Sequence, residues 1–285
     1  MSERSDSQAL LVIEPSRGWV SLRLKELWEF RELAYFLVWR DVKVRYKQTA
    51  LGAIWAVLQP LLTMVVFTVF FGGLARVGSD GLPYPLFSYA GLLPWTFFAQ
   101  GLTQAGGSLV GSSNLIRKVY FPRLVIPVAS VVAGLVDLAV AFLFLVGLMA
   151  VYRMPPAPGV VFLPFFVILA AGASLGIGMW LAALNVEYRD VRYVIPFAVQ
   201  MWLFVTPVIY PASKVEERLK AAGLPGWLYG LNPMAGVVGG FRYCLFGTGL
   251  NGPGVVLASV GVTALLLVSG AFYFRRMERT FADVV

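Results

Sequence analysis

Six stretches of the chain are almost free of charge: 51–75, 85–110, 124–152, 159–184, 194–212 and 254–274. At about 1.5 Å of rise per residue, an α-helix needs roughly 20 apolar residues to cross a hydrocarbon layer about 30 Å thick, and each stretch meets or approaches that length. Membrane barrel strands would instead alternate apolar and polar positions over short segments. The pattern predicts an all-α integral membrane protein of six transmembrane helices. A cytoplasmic N-terminal region, 1–50, precedes a membrane domain, 51–285. The first span is interrupted only by Gln59-Pro60, the second carries Leu93-Pro94-Trp95, and Pro155-Pro156-Ala157-Pro158 parts the third from the fourth.

Two further segments have helical periodicity of their own. Over 24–49, Phe30, Leu33, Ala34, Leu37 and Val38 recur at i, i+3, i+4, i+7 and i+8, one helical face, while Arg31, Glu32, Arg40, Asp41, Lys43, Arg45 and Lys47 fall largely elsewhere. Such an amphipathic helix lies in a membrane interface, as a lipid anchor or as a movable gate that also meets a partner. Its basic end, Arg40, Lys43, Arg45 and Lys47, is a candidate for receiving a phosphate head group. Over 112–123, Ser112, Ser113 and Asn114 are possible N-caps, Leu115/Ile116 and Val119/Tyr120 share a face, and Pro122 is a stop. That predicts a helix of about two turns, either lying on lipid or seated in a socket of another protein.

Residues 213–253 are ambiguous by pattern. A charged, helix-like piece leads into an apolar stretch cut by Pro225, Pro233 and many glycines, which fits a seventh span or a pair of re-entrant segments. The Lys/Arg excess of short loops marks the cytoplasmic side. With six spans, seventeen Lys and Arg lie in the N-terminal region, the loop after span two, the link after span four and the tail, against six on the other side. A seventh span would put Arg275, Arg276 and Arg279 outside. Both termini are therefore read as cytoplasmic, with re-entrant external helices between spans five and six.

Composition sharpens this picture. The chain is 59% hydrophobic and 13% charged, with a mean hydropathy of +0.76, whereas a soluble domain carries about 25% charged residues. The net charge of +8 is accounted for by the loop asymmetry, which speaks for contact with anionic lipids and against nucleic acid. There is no His and a single Cys, Cys244, so imidazole chemistry, an intrachain disulfide and a Cys metal site are excluded. The apolar run 9–13 is too short for a cleavable leader. No Gly-Lys dipeptide occurs, hence no phosphate-binding loop, and ATP-driven work would need another subunit. Asp137 is the one ionisable side chain well inside a span, structural or functional. Trp55, Phe67, Phe70, Phe71, Phe197, Trp202, Phe204 and Tyr210 are aromatics that pack towards lipid or stack on sugar rings.

The run from Trp39 through Arg40-Asp41-Val42-Lys43-Val44-Arg45-Tyr46-Lys47 into Leu51-Gly52-Ala53-Ile54-Trp55 and Gln59-Pro60 resembles the entry to the first span in permease subunits of ABC-2 type polysaccharide exporters, which move O-antigen, capsule and teichoic acid. Leu93-Pro94-Trp95, the loop from Asn114 to Arg123, Tyr188-Arg189-Asp190, Asn232-Pro233-Met234 and Phe241-Arg242 match in the same order, over about residues 25–280.

The resemblance implies the ABC-2, or type V exporter, fold: a homodimer of six-helix subunits in the bacterial inner membrane, joined to two copies of a separate ATPase that holds ATP and Mg. It implies a lipid-linked glycan as substrate and no enzyme activity or cofactor in this chain. By position it makes Asn114, Leu115, Ile116, Arg117, Lys118, Val119 and Tyr120 the ATPase-coupling helix, 24–47 the interface or gate helix, and 223–246 the re-entrant helices. The aromatics named above become channel-wall candidates. An ion-coupled carrier or flippase working alone, which would depend on Asp137, is the alternative. A polytopic transferase would need clustered acids or His, and the pairs Glu187/Asp190 and Glu216/Glu217 have no metal-binding pattern.

Overall fold

The computed structural model describes residues 24–47, 52–188, 190–249, 252–278 and 281. The leader reading at 9–13, the Gln48-Thr49 end of the amphipathic segment, Arg189 and Arg279 lie outside the described residues. What is described is all-helical: 83% helix and no strand.

The segment before the first span forms two helices, α1 (Leu24–Glu29) and α2 (Arg31–Lys47). Next come α3 (Gly52–Phe67), extended by a π-helical turn over Thr68–Leu74, and α4 (Tyr84–Gly111). The short α5 (Ser113–Lys118) leads into α6 (Val125–Val151) and α7 (Leu163–Glu187), the latter entered through a 3₁₀ turn, Pro158–Phe162. The C-terminal part comprises α8 (Val191–Val205), α9 (Ala212–Ala221), a second 3₁₀ turn (Gly226–Leu231), α10 (Pro233–Phe246) and α11 (Pro253–Met277). Among the described residues, four helical stretches are long and apolar enough to cross a membrane: Ile54–Leu74, Val125–Val151, Pro158–Glu187 and Pro253–Met277.

The central helix is α4, which packs against α3, α6, α7, α8 and α10. Nineteen of its 28 residues are buried, so its lower apolarity reflects a protein environment on nearly every side. Its neighbour α7 is in turn seated on α11, where the helices touch through backbone: a Cβ on Gly176 would lie 2.8 Å from the Leu266 carbonyl carbon and the Leu267 nitrogen. The seam is pinned by Trp180, whose ring stacks on Tyr273 at 4.1 Å and whose Nε1 donates to Ser269 Oγ at 3.2 Å. Close backbone approach over small residues is the usual packing device where lipid supplies no hydrophobic drive between helices.

Two apolar clusters divide the bundle lengthwise. The larger gathers α3, α4, α6, α8 and α10. The smaller joins α2, α5 and the adjoining ends of α6, α7 and α11. The face expected of the amphipathic segment is the one that packs: Leu37 is buried in the smaller cluster, with Phe30, Leu33, Ala34 and Val38 against it. The opposite face is not simply polar, for Trp28, Tyr35, Phe36 and Trp39 stand exposed among the charges. Four rings outside and five apolar residues inside leave little net amphipathicity, which a reading of one face alone overlooked.

The fifth stretch also differs from expectation. Instead of running over 194–212, the helix ends at Val205, and Thr206 turns to an extended conformation. Pro207 follows, and the residue before a proline is sterically driven out of the α region. The chain from Thr206 to Ile209 then turns into the protein and is fully buried.

Candidate functional site

Polar side chains inside the bundle gather at two places. The first lies between α2, α4 and α6. Asp137 of α6 is ion-paired with Arg45 of α2 and accepts a hydrogen bond from the Tyr46 hydroxyl, while Arg45 also donates to Gln104 Oε1 of α4 at 2.6 Å. Burial pushes the Tyr46 phenol up, against the opposing pull of Arg45, so it stays a proton donor. Of the four cations on the basic end of the amphipathic segment, only Arg45 turns inward. Arg40 pairs with its neighbour Asp41 at 2.8 Å, and Lys43 and Lys47 are exposed. The four are therefore not assembled into one site.

The second place is at the opposite end, around Arg242 of α10. This guanidinium is buried, and its partners are main-chain carbonyls. Nε and Nη2 donate to Phe87 O at 3.2 and 3.0 Å, Nη2 also to Val208 O at 2.8 Å, and Nη1 to Pro207 O at 2.5 Å. The guanidinium carbon lies 3.5 Å from the centroid of the Phe87 ring. Room for it comes from Gly91, where a Cβ would sit 2.6 Å from Nη2. Asn232 completes the arrangement. Its Oδ1 caps α10 by accepting from Met234 N at 3.1 Å and also accepts from Trp202 Nε1 at 3.1 Å, while its Nδ2 donates to Thr206 Oγ1 at 3.0 Å. Helix ends leave unpaired carbonyls; here Asn232 and Arg242 bond those released where α8 breaks. In the sequence these two residues stood out only as part of a resemblance.

At the α2 end, the segment 112–123 forms one short helix and an exposed strap. Ile116 is buried in the smaller cluster and Leu115 packs against it, but α5 stops at Lys118. Val119 and Tyr120 do not share that face: Val119 is extended and half exposed, and Tyr120 is 92% exposed. Phe121 explains the early stop, since its ring is buried in the same cluster and draws the strap flat against the bundle. Ser112 occupies the N-cap position without a capping side-chain hydrogen bond. Asn114, Arg117 and Lys118 are exposed.

The base of this strap is clamped from the far end of the chain. Arg123 donates from its backbone N–H to Glu278 Oε1 at 3.1 Å and from Nη1 to Glu278 O at 2.5 Å, and Arg275 holds Glu278 Oε2 at 2.6 Å. Phe281 is buried edge-on to Phe274, with centroids 5.3 Å apart, and lies beneath the Arg123 guanidinium. The basic tail is thus partly an internal fastening, a role hidden from any local reading.

The candidate wall aromatics separate into two sets. Trp55, Phe70, Phe197 and Phe204 are exposed on α3, its π-helical end and α8. Phe67 is buried, edge-on to the half-buried Phe71 at 5.5 Å. Trp202 is packed edge-on against Phe98 at 5.3 Å, and the Tyr210 hydroxyl donates to Phe204 O at 3.1 Å. Phe67 therefore belongs to the interior of the bundle, and Trp202 packs partly buried against the same cluster.

Long apolar helices, a buried central helix and polar fastenings at both ends define a multi-pass membrane protein. Residues 32–246 match the model of the ABC-2 type transporter family, and the chain belongs to that family. It is 31% identical over 265 residues to the O-antigen export system permease protein RfbA of Myxococcus xanthus, covering 92% of this chain and 98% of the relative. The RfbA protein of Klebsiella pneumoniae is 28% identical over 254 residues, 86% of this chain and 92% of its own. The polysialic acid transport protein KpsM of Escherichia coli is 22% identical over 205 residues, 70% of this chain and 75% of its own.

Proposed function

We propose that this chain is the membrane-spanning subunit of an ATP-driven exporter that moves a lipid-linked, O-antigen-like polysaccharide across the bacterial inner membrane. The observation that carries the reading is the end-to-end similarity to O-antigen export permeases, 92% of this chain against 98% of a relative. In this proposal α4 and α8 join the four long apolar helices to make six crossings, and both termini are cytoplasmic. The segment from α9 to α10 dips into the outer leaflet, a reading supported by the Lys/Arg excess of the loops, which keeps the basic tail on the cytoplasmic side.

Two copies of the chain pair through the faces that carry Trp55, Phe70, Phe197 and Phe204, and the glycan passes between them. A separate ATPase, two copies per exporter, holds ATP and Mg. It seats α5 and the strap to Tyr120, which project from a base fixed by Ile116, Phe121 and the Arg123–Glu278 clamp. Lys43 and Lys47, with Arg40, face outward where a pyrophosphate-bearing lipid would approach. The carrier reading is disfavoured by Asp137, whose carboxylate is engaged by Arg45 and Tyr46. The test is the R117E/K118E double variant, co-expressed with the ATPase. Loss of surface glycan and of permease-dependent ATP hydrolysis, with membrane insertion unchanged, is expected; full export by the variant overturns the coupling role.

A further inference from the structure

Within α3, its π-helical end, α4 and α6, the side chains that carry an amide or a charge are Gln59, Gln100, Gln104 and Asp137. All four line one cavity of about 310 Å³, together with Arg45 and Trp55. That volume is at the lower end of the roughly 300–1,000 Å³ range of small-molecule sites. Three helices that are otherwise apolar thus turn every such group they own towards a single space.

Polar groups in a membrane interior carry a desolvation penalty and persist where they face a partner or a hydrated cavity. Gln104 and Asp137 have partners in Arg45 and Tyr46, whereas the Gln59 and Gln100 amides make no hydrogen bond to the described residues. Each amide offers two donors and an acceptor. Trp55 presents an indole that is half exposed, and its electron-rich face suits the polarised C–H face of a sugar ring. The ionic pair is internally compensated, so the cavity has no net charge to offer a phosphate. A second, smaller space of about 20 Å³ shares Ala56, Gln100 and Asp137 with it and is otherwise lined mainly by apolar side chains, among them Pro60, Leu93 and Phe97.

We propose that Gln59, Gln100, Gln104 and Trp55 form a subsite for one neutral hexopyranose unit of the transported glycan, with the Arg45–Asp137 pair holding Gln104 in place. This rests on the exporter reading and adds to it where each subunit recognises the glycan, on the face that carries Trp55. Amides bind the ring hydroxyls in both senses, the indole covers one face, and uncompensated charge is kept out.

The test uses a Q100C variant of the full chain, with its ATPase, in inner-membrane vesicles. Cys244 is fully buried, so N-ethylmaleimide reports on the new thiol, and Q59C on α3 serves as a second reporter should Q100C fold poorly. Labelling rates are compared between vesicles from glycan-producing cells and from cells lacking the first sugar transferase, and again after adding inorganic pyrophosphate. The expected result is labelling that is about tenfold slower in the glycan-loaded vesicles, the protection given by a ligand at about ten times its dissociation constant, and unchanged by pyrophosphate. Equal rates with and without glycan, equal protection by pyrophosphate, or no labelling of either thiol overturns the subsite. Wild-type export is measured in the same cells: its absence fails the exporter reading, whereas export with unprotected thiols fails the subsite alone.

Discussion

Two inward-turned arginines, Arg242 and Arg45, are treated in opposite ways. Arg242 is surrounded by carbonyls of Phe87, Pro207 and Val208, lies on a ring, and has Gly91 closing the last space. Arg45 has a carboxylate partner in Asp137, is about a quarter exposed, and borders a 310 Å³ cavity. A cation packed among carbonyls with no room beside it fastens backbone that a helix break has released. A compensated pair beside an open recess instead orders neighbouring amides without filling the space they face. The contrast teaches that burial of a charge does not by itself mark function; the space left beside it is the better indicator.

The comparison can be broken most sharply at the carbonyl end. Arg242→Met strands the buried carbonyls of Pro207 and Val208 at about 1–3 kcal/mol each and removes the added bonds to Phe87 O, so the permease should lose on the order of 3 kcal/mol or more and fail to survive detergent extraction as a monodisperse species in size-exclusion chromatography. Gly91→Ala should act in the same direction but less, about 1–3 kcal/mol, because the added methyl must displace the guanidinium; thermal unfolding followed by tryptophan fluorescence reads this. At the cavity end, Arg45→Met and Asp137→Leu should each destabilise by about 1–3 kcal/mol, and the double variant should cost less than the sum, a coupling that a double-mutant cycle measures. Strict additivity there would mean that the pair orders nothing.

Smaller effects test the fastening at the strap. Glu278→Ala removes the carboxylate that accepts from the Arg123 backbone N–H and from Arg275, while the carbonyl that holds the Arg123 guanidinium stays; it should cost about 1 kcal/mol, with permease-dependent ATP hydrolysis falling further than stability does, because the base of the strap loosens. Tyr120→Ala should leave stability within about 0.5 kcal/mol, as befits a ring that is 92% exposed. If it also leaves ATP hydrolysis unchanged, Tyr120 is not part of the contact with the ATPase.

Much of the helical layout was legible in the chain. Hydrophobicity over a window is a local property, so the apolar stretches, the inward face through Phe30, Leu33, Ala34, Leu37 and Val38, and the short helix after Ser112 all follow from spacing. Local patterning misjudged the ends. The fifth stretch runs on as apolar residues past Pro207, yet the helix stops at Val205, where Thr206 is driven out of the α region by Pro207 and Asn232 Nδ2 donates to the freed Val205 carbonyl. The strap leaves the helix at Val119, because burying Phe121 outweighs one more turn. The resemblance put all eight candidate wall aromatics in one group; in the structure Phe67 is buried, Trp202 packs partly buried against the same cluster, and Trp55, Phe70, Phe197 and Phe204 are exposed.

What the sequence by itself determined is the medium: long uncharged stretches need a bilayer, and a helix is how a backbone satisfies its own hydrogen bonds there. What only the tertiary structure decided is which polar groups meet. Arg45 reaches Asp137 across 92 positions, Arg242 reaches Phe87 across 155, and Arg123 reaches Glu278 across 155. Nothing in the local pattern around any of these residues encodes its partner. Such pairs form because an unpaired polar group costs so much in an apolar interior that the fold brings together the few it has.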